Sequence, residues 1–452
     1  MSSTFARRAP VFVVVAFATT GMAWAQPPTS ARVNWTLNDV INGAIAQHPL
    51  VEAASARLDA AQGARRTAGT FPNPLATYWV EHGTVSGLTS GGQTLSNGLV
   101  RETQTYFTLP LEPLFQRAPR VRRADEEVKA AEANIQSARR QVALDAARAF
   151  FRVALAQVSV EGAQQNRAGL ERLVSYNRAR VTQGTTAEVD LIRAQVELDR
   201  ASTNVALAEV DLLRSRAELW AFLGFPGGAP NAFAVALPDV GSAAGLPALA
   251  DYVGQARERR PEIISARARV AAAAADIEYQ RKLSLRQLGA TVGFKRTLDT
   301  HSFLGGITVP LPLFDQNRGE VQRATGESLA AQKELAWAER MIDAEVQGAY
   351  GAAQRLSAQV ATLQNSFVDR AGEADRITLA AYQEGAASLL QVLDTARALS
   401  ETRLTYFRVL LAQRQSALEL ALAVGDDPSR AAAALVSSGS SSVAQTNSGD
   451  NR

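Results

Sequence analysis

Few residues of this 452-residue chain belong to the types that perform catalysis or bind metal ions. The chain has no cysteine and only three histidines, His48, His82 and His301, which lie far apart in the sequence. A cysteine nucleophile, a disulfide, a thiolate metal site and a multi-histidine cluster are therefore excluded. We expect the three histidines to be exposed and solvated.

Paired carboxylates are the second kind of residue that could do chemistry. Glu126-Glu127 and Asp426-Asp427 are adjacent acids, but the first pair lies in a charged helical segment and the second lies near the C-terminal end. No glycine-rich phosphate loop, nucleophile elbow or metalloprotease motif accompanies them. The sequence predicts a protein that is not an enzyme, with no catalytic residue, metal site or cofactor.

Two glycines occur where long helices are expected to end. Gly184 and Gly385 each stand between two segments with helical periodicity. Glycine readily adopts the left-handed conformation that terminates a helix, so each glycine is predicted to form the tight turn of a helical hairpin. Thr186 and Ser388 follow as the predicted N-cap residues of the returning helices.

The helices that carry these turns show the heptad pattern of a coiled coil. Apolar residues recur at alternating spacings of three and four, and small residues alternate with larger ones, which allows helix axes to approach closely. A helix from Val121 to Thr182 would be ~90 Å long at ~1.5 Å per residue. That length favours long antiparallel hairpins. The two clearest series are Val121, Ala124, Val128, Ala131, Ile135, Ala138, Val142 and Leu191, Ala194, Leu198, Ala201, Val205, Ala208, Leu212, Ser215, Leu219.

The chain consists of two similar halves. Pro110 and Pro310 stand in related Pro-Leu-rich segments 200 residues apart, and His48-Pro49 matches Arg260-Pro261. Such internal similarity indicates a duplicated structural unit. We divide the chain into a first repeat over 26–220, an inter-repeat linker over 221–260 and a second repeat over 261–425. The Ser-, Ala- and Gly-rich tail over 426–452 is predicted to be disordered.

Four segments have the composition of β-strands. The length of each segment is close to the ~9–11 residues of a tilted membrane strand. Four strands cannot close a barrel, because two edges would face lipid, so several chains would have to share one barrel. The alternation of apolar and polar residues along these segments fits a small soluble sheet equally well. The segments are Leu75–His82, Leu99–Leu109, Leu288–Leu298 and Ser302–Val309, and Gly83–Asn97 between the first two is predicted to be an exposed loop.

The N-terminal residues indicate export. Arg7 and Arg8 precede an apolar stretch from Val11 to Ala18, and Ala23-Trp24-Ala25 provides a cleavage site, which together predict a signal peptide over 1–25. A net charge of +3 is not that of a nucleic-acid-binding protein. Because cysteine is absent, we expect no N-terminal lipid anchor.

From about Trp35 to Gly425 the chain resembles the TolC-like outer-membrane factors. The resemblance rests on the leader, the two-half repeat, Asn73-Pro74 before the first strand, the Pro-Leu-Pro-Leu-Phe segment after the last strand and the two glycine-centred turns. It implies an α+β membrane protein whose long antiparallel coiled-coil hairpins adjoin four strands per protomer. In a homotrimer these would form a 12-stranded barrel in outer-membrane lipid and a tunnel extending into the periplasm. It implies a periplasmic adaptor and an inner-membrane RND-type pump as partners.

The run from Val309 to Glu320, with PLPLFDQNRG at its centre, is most similar to CzcC-like members that serve heavy-metal cation exporters. Its prolines suit the end of a strand because they lack a hydrogen-bond donor, and Gly319 is expected to permit a tight entry into the next helix. Pro310, Pro312 and Gly319 are therefore the predicted strand–helix junction. Export of organic toxicants, type I secretion of polypeptides and a non-pore periplasmic scaffold remain alternatives.

The resemblance also assigns roles at the two hairpin turns. Tyr382 matches a tyrosine that helps to hold the gate in TolC, whereas Ala387 stands where the family has an arginine, which leaves the polar latch incomplete. Asp394 is expected either to form a cation-attracting ring at the periplasmic entrance or to be a solvated helix charge paired with Arg397. The implied adaptor-docking residues are Val181, Gly184, Thr185, Gly385, Ala386 and Ser388, and the implied gate residues are Tyr382, Gln391, Asp394 and Asp190.

Overall fold

The computed structural model describes residues 33–85, 88–90, 93–95, 98–223, 233–237, 246–297, 299–364 and 367–440. The predicted signal peptide, 1–25, and the final residues of the predicted tail, 441–452, lie outside them. The described elements are β1 Val33–Trp35, α1 Leu37–Gln47, α2 Pro49–Gly69, β2 Leu75–Val85, β3 Leu88–Ser90, β4 Gln93–Leu95, β5 Gly98–Pro110, α3 Pro113–Thr182, α4 Glu188–Leu223, β6 Phe233–Val235, α5 Leu249–Arg259, α6 Pro261–Lys282, β7 Gly289–Thr297, β8 Thr300–Thr308, α7 Arg318–Gln364, α8 Phe367–Gln383, α9 Leu389–Val424 and α10 Pro428–Ser440.

The two halves share one order of elements. Each has a short helix, a second helix that begins at a proline, two long strands and a helical hairpin. Pro49 and Pro261 occupy first helical positions, where a missing backbone donor has no cost. Helix α5 is the counterpart of α1, so the second repeat begins at Leu249, inside the segment predicted as a linker. Residues 224–232 and 238–245 of that segment lie outside the described residues.

The long helices pack lengthwise at two levels. Next to the sheet the packing order is α2, α3, α6, α7, and toward the hairpin turns it is α4, α3, α9, α8. Each level therefore contains four helical segments, as predicted for one protomer. Helix α3 passes through both levels.

The predicted coiled-coil core positions of α4 are buried. Ala194, Ala201, Val205 and Leu219 are each at most 5% exposed, and the other residues of that series are half-buried. Because alanine occupies alternate core positions, α4 lies close against α3. The predicted heptad register is therefore confirmed for α4, whereas on α3 only Ala124 and Val142 of the predicted series are fully buried, and Ala130 and Ala133 outside it are buried as well.

The long helices of the two halves differ in continuity. Helix α3 runs for 70 residues without a break, about 105 Å at 1.5 Å per residue. Its counterpart is divided into α7 of 47 residues and α8 of 17 residues. Among the described helices, none combines the length and the apolar character needed to cross a membrane.

The four long strands form one antiparallel sheet in the order β2-β5-β7-β8. Its register pairs Tyr78 with Thr105, Thr105 with Phe294, and Phe294 with Phe303. The observed strands agree with the predicted ones to within three residues at each end. The prediction of an exposed loop over Gly83–Asn97 was wrong in part, because this segment contains the small hairpin β3–β4 and the end of β2.

The main apolar core lies midway along the helices. Phe150 and Phe151 of α3 pack there with Leu219 of α4 and Leu422 of α9. Strands β1 and β6 pair in parallel beside this core, so the N-terminal segment and the inter-repeat segment are joined there. The core thus connects both halves of the chain.

The predicted disorder of the tail was wrong for residues 428–440, which form α10. Ala431 and Ala432 of this helix are buried in the main core, and Leu435 packs against it. Ser429 donates a hydrogen bond to Asn42 of α1, with 2.6 Å between the oxygens. The composition is low in bulky residues, but alanine is the strongest helix former, and its small side chain allows close packing against α1.

Candidate functional site

Both hairpin turns have the same backbone geometry. Gly184 and Gly385 have φ of 72° and 83°, and each occupies the position after the C-cap of a Schellman motif. At the first turn, the amide of Gly184 donates to the carbonyl of Val181 at 2.9 Å and that of Thr185 to Arg180 at 3.0 Å. The predicted role of glycine is confirmed at both turns.

The second turn repeats these bonds. The amide of Gly385 donates to Tyr382 at 3.1 Å and that of Ala386 to Ala381 at 2.8 Å. A Cβ atom added to either glycine would meet no other atom within 4 Å, so only the backbone conformation requires glycine. Both turns are therefore exposed surfaces of equivalent shape.

The returning helices begin differently at the two turns. Ser388 is the N-cap of α9 and forms a capping box with Gln391, whose side chain accepts from the Ser388 amide at 2.8 Å. Gln391, predicted as a gate residue, is therefore engaged in the cap. Helix α4 begins at Glu188, so Thr186 lies two residues before it and is not its N-cap, contrary to prediction.

A buried polar contact joins the two hairpins just above the turns. The Tyr382 hydroxyl of α8 donates a hydrogen bond to Oδ1 of Asn177 on α3. Tyr382 is 6% exposed and Asn177 is fully buried. The Asn177 amide nitrogen donates to the Leu173 carbonyl at 3.0 Å, which leaves Oδ1 free to accept from the tyrosine. The predicted gate tyrosine thus lies between the two halves of the chain.

Two further residues of α3 support this contact. The Arg180 guanidinium lies 5.9 Å from the Tyr382 ring and 5.6 Å from the Tyr176 ring, within the range of cation–π attraction. The Tyr176 hydroxyl donates to the Gln383 carbonyl at 3.3 Å. Burial raises the pKa of the Tyr382 hydroxyl, so the tyrosine remains a donor near neutral pH.

Sequence reasoning missed Asn177, Tyr176 and Arg180. The sequence did contain a signal for Asn177. Leu170, Val174 and Asn177 follow the four-then-three spacing of coiled-coil core positions, and Asn177 is a polar residue at one of these positions. A single asparagine at a coiled-coil core position commonly fixes the alignment of helices. In this protein it pairs with Tyr382.

Asp394 lies on the surface of α9. Its side chain is 62% exposed and lies 3.7 Å from Arg397, which also pairs with Glu197 of α4 at 2.6 Å. Asp190 at the start of α4 is 3.9 Å from Arg193. Both carboxylates therefore have a basic neighbour one turn along the helix.

The strand–helix junction is organised by Asn317. Its φ is 58°, its side-chain amide donates to the Gln280 carbonyl at 2.6 Å, and its backbone amide donates to Asp315 at 2.9 Å. Gly319 lies inside the first turn of α7 and has no positive φ. The expectation that Gly319 makes the tight entry was wrong, because asparagine tolerates the left-handed region and takes that role.

The two faces of the sheet have opposite chemical character. One face is almost entirely apolar and strongly exposed over the part nearest the helices, with Phe294 and Phe303 each at 69% and Ile307 at 73%. The opposite face is mainly polar and carries an ion pair between Glu102 and Lys295. By register, the apolar part of the first face comprises Ala76, Tyr78, Val80, Thr105, Phe107, Leu109, Ala290, Val292, Phe294, Phe303, Gly305 and Ile307, and farther from the helices the same face carries His82, Arg101, Thr103, Arg296 and His301. The opposite face includes Thr77, Trp79, Glu81, Glu102, Gln104, Tyr106, Thr108, Thr291, Gly293, Lys295, Ser302, Leu304, Gly306 and Thr308.

The histidines have no common site. His82 and His301 are exposed on the sheet, as predicted. His48 is half-buried, and its Nδ1 accepts from the Leu50 amide at 3.2 Å, so it caps α2 and the expectation of a solvated side chain was wrong for it. In the part of the chain that the structure describes, no group of three or more His, Cys, Asp or Glu residues could hold a metal ion.

Known proteins share both the sequence and the fold. The cobalt-zinc-cadmium resistance protein CzcC of Cupriavidus metallidurans is 25% identical over 413 residues, which cover 89% of this chain and 95% of CzcC. The pyoverdine export outer membrane protein OpmQ of Pseudomonas putida is 27% identical over 289 residues, 59% of each chain. A crystal structure of CusC superimposes with a TM-score of 0.70 at 18% identity, covering 90% of this chain and 96% of CusC.

The family assignment rests on matches in both halves of the chain. Residues 40–225 and 252–426 match the family described as outer membrane efflux protein. These ranges contain both hairpin turns, the Tyr382–Asn177 contact and all four strands of the sheet. The chain therefore belongs to the outer membrane efflux protein family.

Proposed function

We propose that the protein is the outer-membrane channel of a tripartite efflux system and acts as a passive conduit. The observation that carries this proposal is the sheet with an exposed apolar face and a polar face. A soluble sheet buries its apolar side chains, whereas a strand wall in a membrane turns them outward. The geometry therefore favours a channel over a periplasmic scaffold, which would not need an outward apolar face.

The edges of the sheet support a homotrimer. Within the described residues, β2 and β8 each pair with one neighbouring strand, and all nine residues of β8 are exposed. Unpaired backbone groups in lipid are very costly. If β8 of one protomer pairs with β2 of the next, three chains close a 12-stranded barrel.

The outer helices support the same assembly. Helix α4 carries a second apolar stripe that its own chain leaves exposed, including Val189 and Ile192 at 50% and Leu207 at 60%. The neighbouring position in a trimer would be taken by α8 of the next protomer, on which Ile377 is 57% exposed, while Trp337 of α7, 62% exposed, lies nearer the sheet, at the level of α2. We propose that these stripes meet and close a 12-helix periplasmic tunnel.

The gate is assigned to the tips of the hairpins. The Tyr382–Asn177 hydrogen bond ties the second hairpin to the first, and its loss would free the second hairpin to move. Asp190 and Asp394 lie six and nine residues after the turn glycines and are proposed to attract cations at the entrance. The exposed turns at Gly184 and Gly385 are proposed to dock a periplasmic adaptor that connects the channel to an inner-membrane pump.

Heavy-metal cations are the proposed substrates. CzcC, whose name describes cobalt, zinc and cadmium resistance, matches nearly the whole of both chains. The polar face of the sheet and the acidic entrance are compatible with cation passage. OpmQ, a pyoverdine export protein, matches a shorter part of the chain and makes an organic substrate the second candidate.

Reconstitution tests the conduit directly. Purified protein should migrate as a trimer after cross-linking in detergent and should give discrete conductance steps in planar bilayers. In cells that lack their own channel, co-expression with a metal pump and adaptor should restore zinc or cobalt resistance. A monomer without conductance would refute the conduit, whereas conductance without metal resistance would favour the organic substrate.

A further inference from the structure

The segments that join the sheet to the helices carry an unbalanced positive charge. We define this junction layer as residues 70–74, 111–120, 281–288 and 309–318. It contains two carboxylates, Glu112 and Asp315, and six cationic residues. Within the described chain, none of the six cations forms an ion pair with a carboxylate. They are Arg117, Arg120, Arg281, Lys282, Arg286 and Arg318.

Neutral groups hold three of these cations in place. The Arg117 guanidinium donates to the Gly69 carbonyl at 2.8 Å, and Arg120 donates to the Ala68 and Thr70 carbonyls at 2.8 and 2.9 Å. These bonds close the C-terminal end of α2 and leave both charges uncompensated. Arg286 likewise donates to the Leu283 carbonyl, at 3.0 Å, and to the Asn317 amide oxygen.

One helical turn farther from the sheet, the cations are neutralised. Arg123 pairs with Glu127 and Asp276, each at 2.8 Å. Arg323 lies 2.7 Å from both Glu320 and Glu327. The excess of positive charge is therefore confined to the layer that adjoins the strands.

The same layer exposes large apolar side chains. Phe314 is 100% exposed, and Leu114, Leu311 and Leu313 are between 71% and 76% exposed. Phe71 is 63% exposed and lies 5.5 Å from the Arg117 guanidinium. Apolar side chains interleaved with basic ones are typical of surfaces that lie at a membrane interface.

From this combination we propose that the junction layer binds the headgroups of anionic phospholipids in the periplasmic leaflet. The inference rests on the proposed insertion of the sheet into the outer membrane. The layer directly continues the apolar face of the sheet, so its side chains would meet headgroups at the depth where the strands end. Phosphodiester groups accept hydrogen bonds from guanidinium groups, and basic clusters beside a membrane bind anionic lipid.

A second copy of the chain fits this layer less well than lipid. Around a threefold axis, each protomer presents the same six cations at the same level, so neighbouring junction layers would repel one another. Anionic lipid supplies the missing negative charge, and its acyl chains can cover Phe314 and Leu311. Charge complementarity therefore selects the lipid.

The test measures lipid preference in the purified full-length assembly. Native mass spectrometry would follow binding of phosphatidylglycerol and phosphatidylcholine to the parent and to the triple variant Arg117→Gln, Arg281→Gln, Arg318→Gln. The matched control removes three exposed arginines elsewhere: Arg57→Gln, Arg214→Gln, Arg376→Gln. We expect the parent and the control to prefer phosphatidylglycerol about tenfold at low salt, and the triple variant to lose most of that preference.

Two results would overturn the proposal. One is a parent that binds the two lipids equally; the other is a triple variant that keeps the full preference. Should the triple variant fail to assemble, Arg318→Gln alone and the salt dependence of the parent provide the same comparison, since screening should weaken the preference. Conductance of the parent in pure phosphatidylcholine bilayers is measured alongside. An absence of conductance would count against the proposed channel function. Normal conductance without a preference for phosphatidylglycerol would count against the proposed headgroup site alone.

Discussion

Tyr382 donates a hydrogen bond to Asn177 although the two residues are 205 positions apart and belong to different halves of the chain. The bond lies immediately above both hairpin turns, within an apolar core to which both hairpins contribute. Buried residues including Leu173 of the first hairpin and Leu389 of the second surround it. The contact between the two tips therefore contains a polar pair inside an otherwise apolar core.

Replacing this tyrosine should loosen the gate. In Tyr382→Phe the buried Asn177 oxygen loses its donor, which costs about 1–3 kcal/mol, and a change of that size shifts a two-state equilibrium by about 5- to 150-fold. We expect a higher basal conductance in planar bilayers and greater uptake of a large antibiotic by cells. Tyr406→Phe, on the middle of α9, is the matched control, and equal conductance in parent and Tyr382→Phe would contradict the assignment.

Enlarging an alanine at a coiled-coil core position should impair assembly. Ala201→Leu forces additional methyl groups between α3 and α4 and should cost about 1–3 kcal/mol, and Ala194→Leu and Ala208→Leu should act in the same direction. The measurement is the yield of cross-linked trimer and its melting temperature. Ala201→Ser, which adds a single atom at the same position, is the matched control and should cost much less; equal losses in both variants would show that overpacking is not the cause.

Substitution of a turn glycine should impair docking of the proposed adaptor without impairing folding of the trimer. Gly184→Val and Gly385→Val place a β-branched residue at positive φ, which costs about 1–2 kcal/mol, while the open surroundings impose no clash. The trimer should therefore insert and conduct normally but fail to restore metal resistance with its pump and adaptor. Gly348→Ala, within α7, serves as control, and loss of the folded trimer in the valine variants would refute the separation.

Removal of the Asp394 carboxylate should alter ion selectivity. If three copies surround the entrance, their charges attract cations, and Asp394→Asn should reduce cation preference and weaken block by multivalent cations. Single-channel recording at low salt provides the measurement, because screening is least there. Arg397→Gln leaves the carboxylate in place without its nearest neutralising partner and should change selectivity in the opposite direction. Identical reversal potentials in the three channels would place Asp394 outside the conduction path.

Acid should weaken the packing of α6 against α3 and α7. Burial opposes the charged form of Glu262, but the guanidiniums of Arg140 and Arg260 and a hydrogen bond from Ser137 outweigh it and lower its pKa from 4.5 to about 2. A carboxyl whose pKa is lowered by folding contributes stability that is complete above the unfolded value and is lost as pH falls through the folded one.

The measurable effect is a loss of about 3 kcal/mol between pH 4.5 and pH 2. Thermal melts across that range should show the loss in the parent. Glu262→Gln should be less stable at neutral pH, because Arg260 is 2% exposed and keeps Glu345 as its one acidic partner among the described residues, beside the Ala423 carbonyl; it should also depend less on acid. Glu258→Gln, exposed on α5, should keep the acid dependence of the parent.

The repeating parts of the fold were predictable from the sequence, because periodicity reports which side chains face a neighbour. The heptad of α4, from Leu191 to Leu219, identified its buried face correctly, and the alternation of Ala290, Val292 and Phe294 identified one face of the sheet. Glycine at positions 184 and 385 likewise revealed both turns. In each case the residues that carry the pattern lie within a few positions of the structural feature that they predict.

Contacts between the halves were not predictable in the same way. Nothing near Tyr382 in the sequence indicates that its partner is Asn177, and the left-handed turn at Asn317 depends on the position of the Gln280 carbonyl. Helix α10 was missed because Ala431 and Ala432 gain their stability from α1, which is almost 400 residues away. Long-range partners of this kind decide which of several local possibilities is realised.

The order of strands in the sheet also determines when the sheet can form. Strand β5 pairs with β7, so that Thr108 lies opposite Thr291, 183 positions farther along the chain. Such non-local pairing slows folding, because a long chain segment must be ordered before the contact forms. As the chain is synthesised, β2 and β5 emerge long before β7 and β8 and must remain unpaired with them. The sheet therefore cannot be completed until much of the second half of the chain is present, and its exposed phenylalanines and open edges make this interval a period of aggregation risk.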